Sequence, residues 1–382
     1  VKTRAAVLWD VGREWEIVEV EVDPPGPGEV LIKTRAAGLC HSDDHVVQGD
    51  MSVANADADA MGIDRMFPII GGHEGSGEIV EVGDGVTTVQ PGDHVSMSFI
   101  PACGRCHWCA IGRQTLCDLG AKVFEMGQIT DGRIAHHIGD TGVGVLSKVG
   151  SFSEYMLASE ASVVKIEPDL PFIPAALVSC GVATGWGSAV HRAEVQPGDT
   201  VVVVGCGGIG MNAVQGARMA GAKRVIAVDP VEFKREQALA FGATHTYSSL
   251  EEATPAVIEL TWGRGADKTI LTPGLLNGDM VGEALAATSK GGTVVVTAIA
   301  NMMESQVTMS LFDLAMMNKE VKGTIFGSGN PRSDIPALLS MYREGMLKLD
   351  ELVTRTYSLD EINQGYRDMR DGKNIRGVIT FD

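Results

Sequence analysis

Apolar and polar side chains alternate in short runs along the first hundred residues, which is the period-two signature of half-buried strands. The pattern predicts strands over Glu16 to Val22, Glu29 to Ala37 and Gly77 to Val82, separated by Pro24-Pro25-Gly26-Pro27-Gly28 and Gly83-Asp84-Gly85. Such punctuation predicts an antiparallel β domain. From about Val182 the pattern changes. The apolar run Thr200 to Val204 leads through a glycine-rich turn into a helix from about Ile209 to Ala220, and the strand Arg224 to Asp229 follows. Strand, helix, strand in this order implies a parallel sheet with right-handed crossovers, which Lys268 to Leu271 and Thr293 to Ala298 would extend. The predicted class is therefore α/β. One stretch, Gly49 to Gly62, holds three Asp, four Ala and two Met without clear periodicity, and is expected to be a surface loop.

At 382 residues the chain exceeds what one hydrophobic core usually holds, so two domains are expected. A formal charge of −18 excludes the basic surface that nucleic acid requires. No apolar run approaches the roughly 20 residues of a membrane span. The first residues also lack a basic segment followed by an apolar one. A cytoplasmic enzyme with neither nucleic-acid nor membrane partners is the expectation.

Gly205-Cys206-Gly207-Gly208-Ile209-Gly210 fits G-x-G-x-x-G between a predicted strand and a predicted helix. The first glycine permits the tight turn, the second admits a pyrophosphate to the backbone, and the third lets helix and strand pack closely. The helix N-terminus then offers unpaired N–H groups to phosphate. Asp229 follows at the end of the next strand, where a carboxylate binds the ribose hydroxyls and repels a 2′-phosphate, which favours NAD over NADP. Lys234 is a second candidate for that ribose, with an exposed helical lysine as the plainer alternative.

Seven cysteines are too few and too unevenly spaced for a disulfide scaffold. Cys103, Cys106, Cys109 and Cys117 form C-x2-C-x2-C-x7-C, four thiols on one short lobe that suit a closed, structural zinc site. Cys40 and Cys180 stand apart, as does His73 in Gly71-Gly72-His73-Glu74. Two thiolates and an imidazole would make a three-ligand site with an open position, as a catalytic zinc needs, although spacing alone does not join them. Cys206 is explained by its place in the glycine turn.

Gly-Leu-Cys-His-Ser-Asp at 38 to 43, Gly-His-Glu at 72 to 74, the cysteine lobe, the glycine turn with Asp229, and Gly372-Lys373-Asn374-Ile375-Arg376 together carry a resemblance along essentially the whole chain. The chain resembles the zinc-containing alcohol dehydrogenases of the medium-chain dehydrogenase/reductase superfamily. Within them it is most similar to the actinobacterial nicotinoprotein enzymes assayed with N,N-dimethyl-4-nitrosoaniline (NDMA), on the run Pro230 to Gln237 and the ending Lys373 to Asp382. The resemblance implies a GroES-like catalytic domain over 1–181 and 325–382 and a Rossmann domain over 182–324. It implies two zinc ions per chain, with Cys40, His73 and Cys180 on the catalytic one, Glu74 behind it and Asp43 orienting His73. Ser42 and His45 match the proton relay, and His41 and Arg376 match positions that hold the pyrophosphate. Thr184 and Ile209 match positions against the nicotinamide, and Phe99 and Phe152 match the substrate pocket wall. A homodimer or tetramer is implied as well. The segment between His45 and His73 is longer than in the well-known animal and plant enzymes, and is expected to shape the substrate entrance and to hinder cofactor release.

The function expected is hydride transfer between a small alcohol, or its aldehyde or ketone, and NAD, with NAD retained and reoxidised by an external acceptor. Two rivals are a thiol-dependent formaldehyde dehydrogenase acting on a mycothiol-type adduct, and a non-catalytic dinucleotide-binding protein on the same fold.

Overall fold

The valine-rich run Thr200–Val204 lies in the middle of a six-stranded sheet, and Val201, Val202 and Val203 are fully buried. A strand covered on both faces needs no alternation, which is why this one reads as continuously apolar. The computed structural model describes residues 1–123 and 125–382. In this sheet the order is His245–Tyr247, Arg224–Val228, Thr200–Val204, Ala266–Leu271, Thr288–Val296, Glu320–Gly323. All neighbouring pairs are parallel. Counted in chain order this is 3-2-1-4-5-6, the doubly wound dinucleotide arrangement.

The other two sheets lie in the other unit. Glu29–Leu39 is the central strand of a seven-stranded sheet, paired antiparallel with Gly75–Val82, Tyr155–Ser159 and Arg376–Thr380. Lys2–Leu8 and Glu16–Val22 anchor a six-stranded sheet. The antiparallel expectation needs correction at two places. Ile69–Ile70 runs parallel to Gly144–Val145, and Val353–Tyr357 runs parallel to Arg376–Thr380. Each pair is joined by a long crossover, as parallel strands require: the cysteine lobe intervenes in the first, and the helix Ile362–Arg370 in the second.

By contacts the chain divides into Val1–Cys180 with Asn330–Asp382, and Gly181–Gly329. Residues 325–329 thus fall with the parallel sheet, not with the first unit as expected. The reason is close packing: a Cβ on Gly327 would lie 2.6 Å from the Ala183 carbonyl oxygen and 2.7 Å from Gly187 Cα. Trp15, Phe152, Tyr357 and Tyr366 head the core of the first unit. Val202, Ile226, Leu271 and Val294 belong to the core of the second.

The stretch expected to be a loop contains a short helix, Asn55–Met61, closed by left-handed Gly62. Only Ala58 of this helix is buried, so it carries no apolar face and leaves no periodic signal. Met51 and Met66, on either side of it, pack on the core of the first unit. Among the described residues no single helix is long and apolar enough to cross a membrane.

Candidate active site

The first unit gathers Cys40, His73, Glu74 and Cys180, one ligand atom from each lying within 4.8 Å of the others, all four residues buried. Three chain segments converge to do this. Cys40 follows the strand Glu29–Leu39 and caps the helix His41–Gln48. His73 and Glu74 precede Gly75–Val82, and Cys180 follows the helix Phe172–Val178. Ser179 Oγ accepts the Gly75 N–H at 3.2 Å, which ties the last two segments together. Gly38 makes room: a Cβ there would run into the Glu74 carboxylate and lie 2.8 Å from the Arg376 guanidinium.

His73 is held from behind. Its Nδ1 is 3.1 Å from Asp43 Oδ2, while Asp43 Oδ1 accepts the Gly72 N–H at 2.9 Å. Its Nε2 is buried with no hydrogen-bond partner. Burial opposes charge on this ring, yet Asp43 and Cys40 raise its pKa well above the usual histidine value. A hydrogen bond from Cys180 holds the Cys40 thiol well below the usual range, whereas the same contact and burial push Cys180 up. Two thiols, a carboxylate and an orphaned imidazole nitrogen, buried together, are a donor set that fits zinc. Glu74 is fully buried, and burial raises it to about 7 against the opposing effect of Arg376, with which it is ion-paired.

The sequence motif did not foresee that pair. Arg376, expected toward pyrophosphate, is 5% exposed and turned onto Glu74. Phe152, expected on a pocket wall, is fully buried and packs edge-on to Trp15 at 5.7 Å and to Tyr366 at 6.3 Å, so its side chain belongs to the core. Phe99 is partly exposed and meets the His73 ring edge-on at 5.5 Å. Ser42 Oγ lies 3.7 Å from Cys40 Sγ. His45 is three residues further along the same helix, with its ring 6.4 Å from that of His41.

The cysteine lobe forms the second cluster, Cys103, Cys106, Cys109 and Cys117. Backbone N–H groups of Cys103, Cys106 and Cys109 point at the sulfurs of Cys117, Cys103 and Cys106 at 3.4 to 3.5 Å. Backbone N–H donors from Asp118 and Cys109 lower Cys106 to about 6, while burial pushes Cys109 up to about 12. The N–H groups aimed at sulfur favour thiolates, the form that a metal takes.

In the second unit Gly205 has φ 89°, and a Cβ there would meet the Thr272 carbonyl. A Cβ on Gly210 would strike the Gly205 carbonyl, whereas Gly207 faces open space, as a phosphate-approach position should. Gly207 caps the helix Gly208–Met219, whose first residues are Gly208 and Ile209. Asp229 is 5% exposed, with Oδ2 accepting the Cys206 N–H at 2.7 Å and Oδ1 the Val231 N–H at 2.8 Å. Each oxygen keeps a second lone pair for a ligand hydroxyl. Arg235, which sequence reasoning passed over, donates to the Asp229 and Pro230 carbonyls at 2.8 Å and braces this turn; Lys234 beside it is half-buried. The buried Thr184 hydroxyl has no hydrogen-bond partner.

A family model described as alcohol dehydrogenase GroES-like domain matches residues 26–169, and one described as zinc-binding dehydrogenase matches 208–344. The chain is 53% identical over 379 residues to an NDMA-dependent alcohol dehydrogenase of Amycolatopsis methanolica, covering 99% of each. It is 49% identical over 381 residues to alcohol dehydrogenase B of Mycobacterium tuberculosis, covering 100% of this chain and 99% of the other. Among solved structures, benzyl alcohol dehydrogenase from Acinetobacter calcoaceticus superposes with a TM-score of 0.89 at 29% identity, covering all of both chains.

Proposed function

The chain belongs to the zinc-binding alcohol dehydrogenase family and is an alcohol oxidoreductase, and on that premise we propose that Cys40, His73 and Cys180 would hold a zinc serving a small alcohol, and that the glycine turn would hold NAD, which would supply the hydride-accepting chemistry. One observation carries this reading: a buried His73 whose Nδ1 faces Asp43 and whose Nε2, beside two thiols, has no hydrogen-bond partner. Zinc bound there supplies Lewis acidity, making a hydroxyl acidic near neutral pH. Everything else is the work of this chain's side chains. Ser42, beside Cys40, would take up the hydroxyl proton while giving up its own, and His45, further along the same helix, would pass a proton on to water. Phe99 lies against His73 and keeps the reacting end dry. Glu74, clamped by Arg376, stands behind the thiols. Cys103, Cys106, Cys109 and Cys117 hold a second, structural zinc.

On the cofactor side, Gly205, Gly207, Gly208 and Gly210 would cradle the pyrophosphate region, and Thr184 and Ile209 would lie against the nicotinamide. The anchored Asp229 carboxylate selects NAD over NADP. The Amycolatopsis relative is named for its dependence on NDMA. By extension, NAD stays bound here through turnover and electrons leave to an external acceptor. A homo-oligomer is proposed as well, because Leu311, Phe312 and Met316 are 66 to 71% exposed on the segment leading into the edge strand Glu320–Gly323.

Denaturing extensively dialysed protein should release close to one NAD per chain, and the dialysed protein should oxidise alcohols with a nitrosoaniline dye and no added NAD. Empty protein that works only with added NAD replaces retention by ordinary exchange. Preference for an S-hydroxymethyl thiol adduct over free alcohols would move the substrate class to that of the thiol-dependent enzymes. Absence of turnover in all three assays contradicts the reading.

A further inference from the structure

Asp50 lies outside the motifs used so far. The helix His41–Gln48 ends at Gly49, whose φ of 85° turns the chain back on itself and sends its N–H to the His45 carbonyl. The N–H groups of Asp50 and Met51 reach the same carbonyl at 2.9 and 3.2 Å. Ser52 Oγ donates to the Val46 carbonyl at 2.7 Å, so the turn is stitched to the last part of the helix. This places Asp50 Oδ2 2.9 Å from His45 Nδ1. The two side chains are only 18% and 8% exposed.

We propose that Asp50 is a positioning residue of the proton relay, accepting the Nδ1–H of His45 so that the neutral imidazole carries its lone pair on Nε2. The inference rests on the relay role proposed above for His45. An ionised carboxylate has no proton to donate, so a 2.9 Å contact with Nδ1 requires the proton to sit on the ring nitrogen. Nε2 is then the atom that forms the new N–H bond at the end of the relay, in which Ser42 gives up its own O–H proton as it takes that of the alcohol. The imidazolium that results faces the Asp50 carboxylate while it waits, and returns to neutral by giving the Nε2 proton to water. The stitched turn makes the arrangement rigid. It depends on three N–H groups that converge on one carbonyl and on a glycine free to take a left-handed conformation, not on a flexible surface contact.

The test uses the holoprotein labelled with 15N-histidine. Two-bond nitrogen–proton spectra report each tautomer, and the His45 signals are those lost in His45→Gln. Wild type should show His45 as Nδ1–H, and Asp50→Ala should shift it toward Nε2–H. Alcohol oxidation by Asp50→Ala should fall in kcat about tenfold or more, a part of what general acid–base assistance is worth, with KM, zinc content and bound dinucleotide unchanged. Where Asp50→Ala does not fold, the similarly sized Asp50→Leu, which cannot accept a hydrogen bond, takes its place. An unchanged tautomer, or a wild-type kcat in Asp50→Ala beside a slow His45→Gln, overturns the inference. A His45→Gln protein as fast as wild type removes His45 from the relay and the inference with it. That outcome is separable from the first, because the tautomer is read without turnover.

Discussion

Asp43 Oδ2 stands 3.1 Å from His73 Nδ1, and its other oxygen accepts the N–H of Gly72, so one buried carboxylate fixes both the ring and the backbone that carries it. A histidine oriented in this way presents Nε2 in one direction before any ligand arrives, and the partner on Nδ1 also makes it a better donor.

Replacing Asp43 by Asn should weaken metal binding at the Cys40 site about 10- to 100-fold, while the cysteine lobe keeps its ion. Zinc content after dialysis against a graded chelator measures this. Equal retention by variant and wild type would count against the orienting role.

The two clusters should separate stability from activity. Cys117→Ser opens a four-thiol shell that is coupled to folding, and should lower Tm by about 5 °C or more. Cys40→Ser should abolish alcohol oxidation with Tm nearly unchanged. Thermal melts and zinc analysis of both variants check the pair, and an active Cys40→Ser protein would sink the assignment.

Asp229→Gly removes the charge that opposes a 2′-phosphate together with the acceptor for the Cys206 and Val231 N–H groups. The preference for NAD over NADP should narrow by tenfold or so, a difference of about 1.4 kcal/mol. Dinucleotide titrations of the stripped protein would show it, and an unaltered ratio speaks against Asp229 as the selector.

His136 supplies a pH test away from both metal clusters. Burial, with the nearby His137 and Arg133 adding to it, pushes its pKa from the ordinary 6.5 to about 3. Between these values the unfolded chain binds a proton that the folded chain refuses. Stability is therefore full above pH 6.5 and falls as pH drops toward 3, by up to about 1.4 kcal/mol per unit. Between pH 7 and 5 the wild type should lose more Tm than His136→Gln; parallel losses would contradict this.

The lobe and the glycine turn were legible in the sequence because their parts are contiguous: four cysteines on one loop, and four glycines between a strand and a helix. Cys40, His73 and Cys180 are brought together only by folding, and only the family resemblance joined them in advance. The pairing of Arg376 with Glu74 was hidden for a related reason. An arginine in a terminal motif carries no sign that Glu74 lies across a sheet from it. Asp50 was hidden inside a segment without periodicity, since its contact with His45 comes from one left-handed glycine. The helix Asn55–Met61 escaped because a helix that buries one alanine has no stripe to read.

Anomalous diffraction at the zinc edge, from crystals of protein purified without added metal, tests the central claim most directly. The account predicts two peaks per chain, one inside the Cys103, Cys106, Cys109 and Cys117 lobe and one bound by Cys40, His73 and Cys180, with the remaining position free of protein ligands. A peak in the lobe alone, or a second ion closed by Glu74 as a fourth ligand with no place for an alcohol, would contradict it.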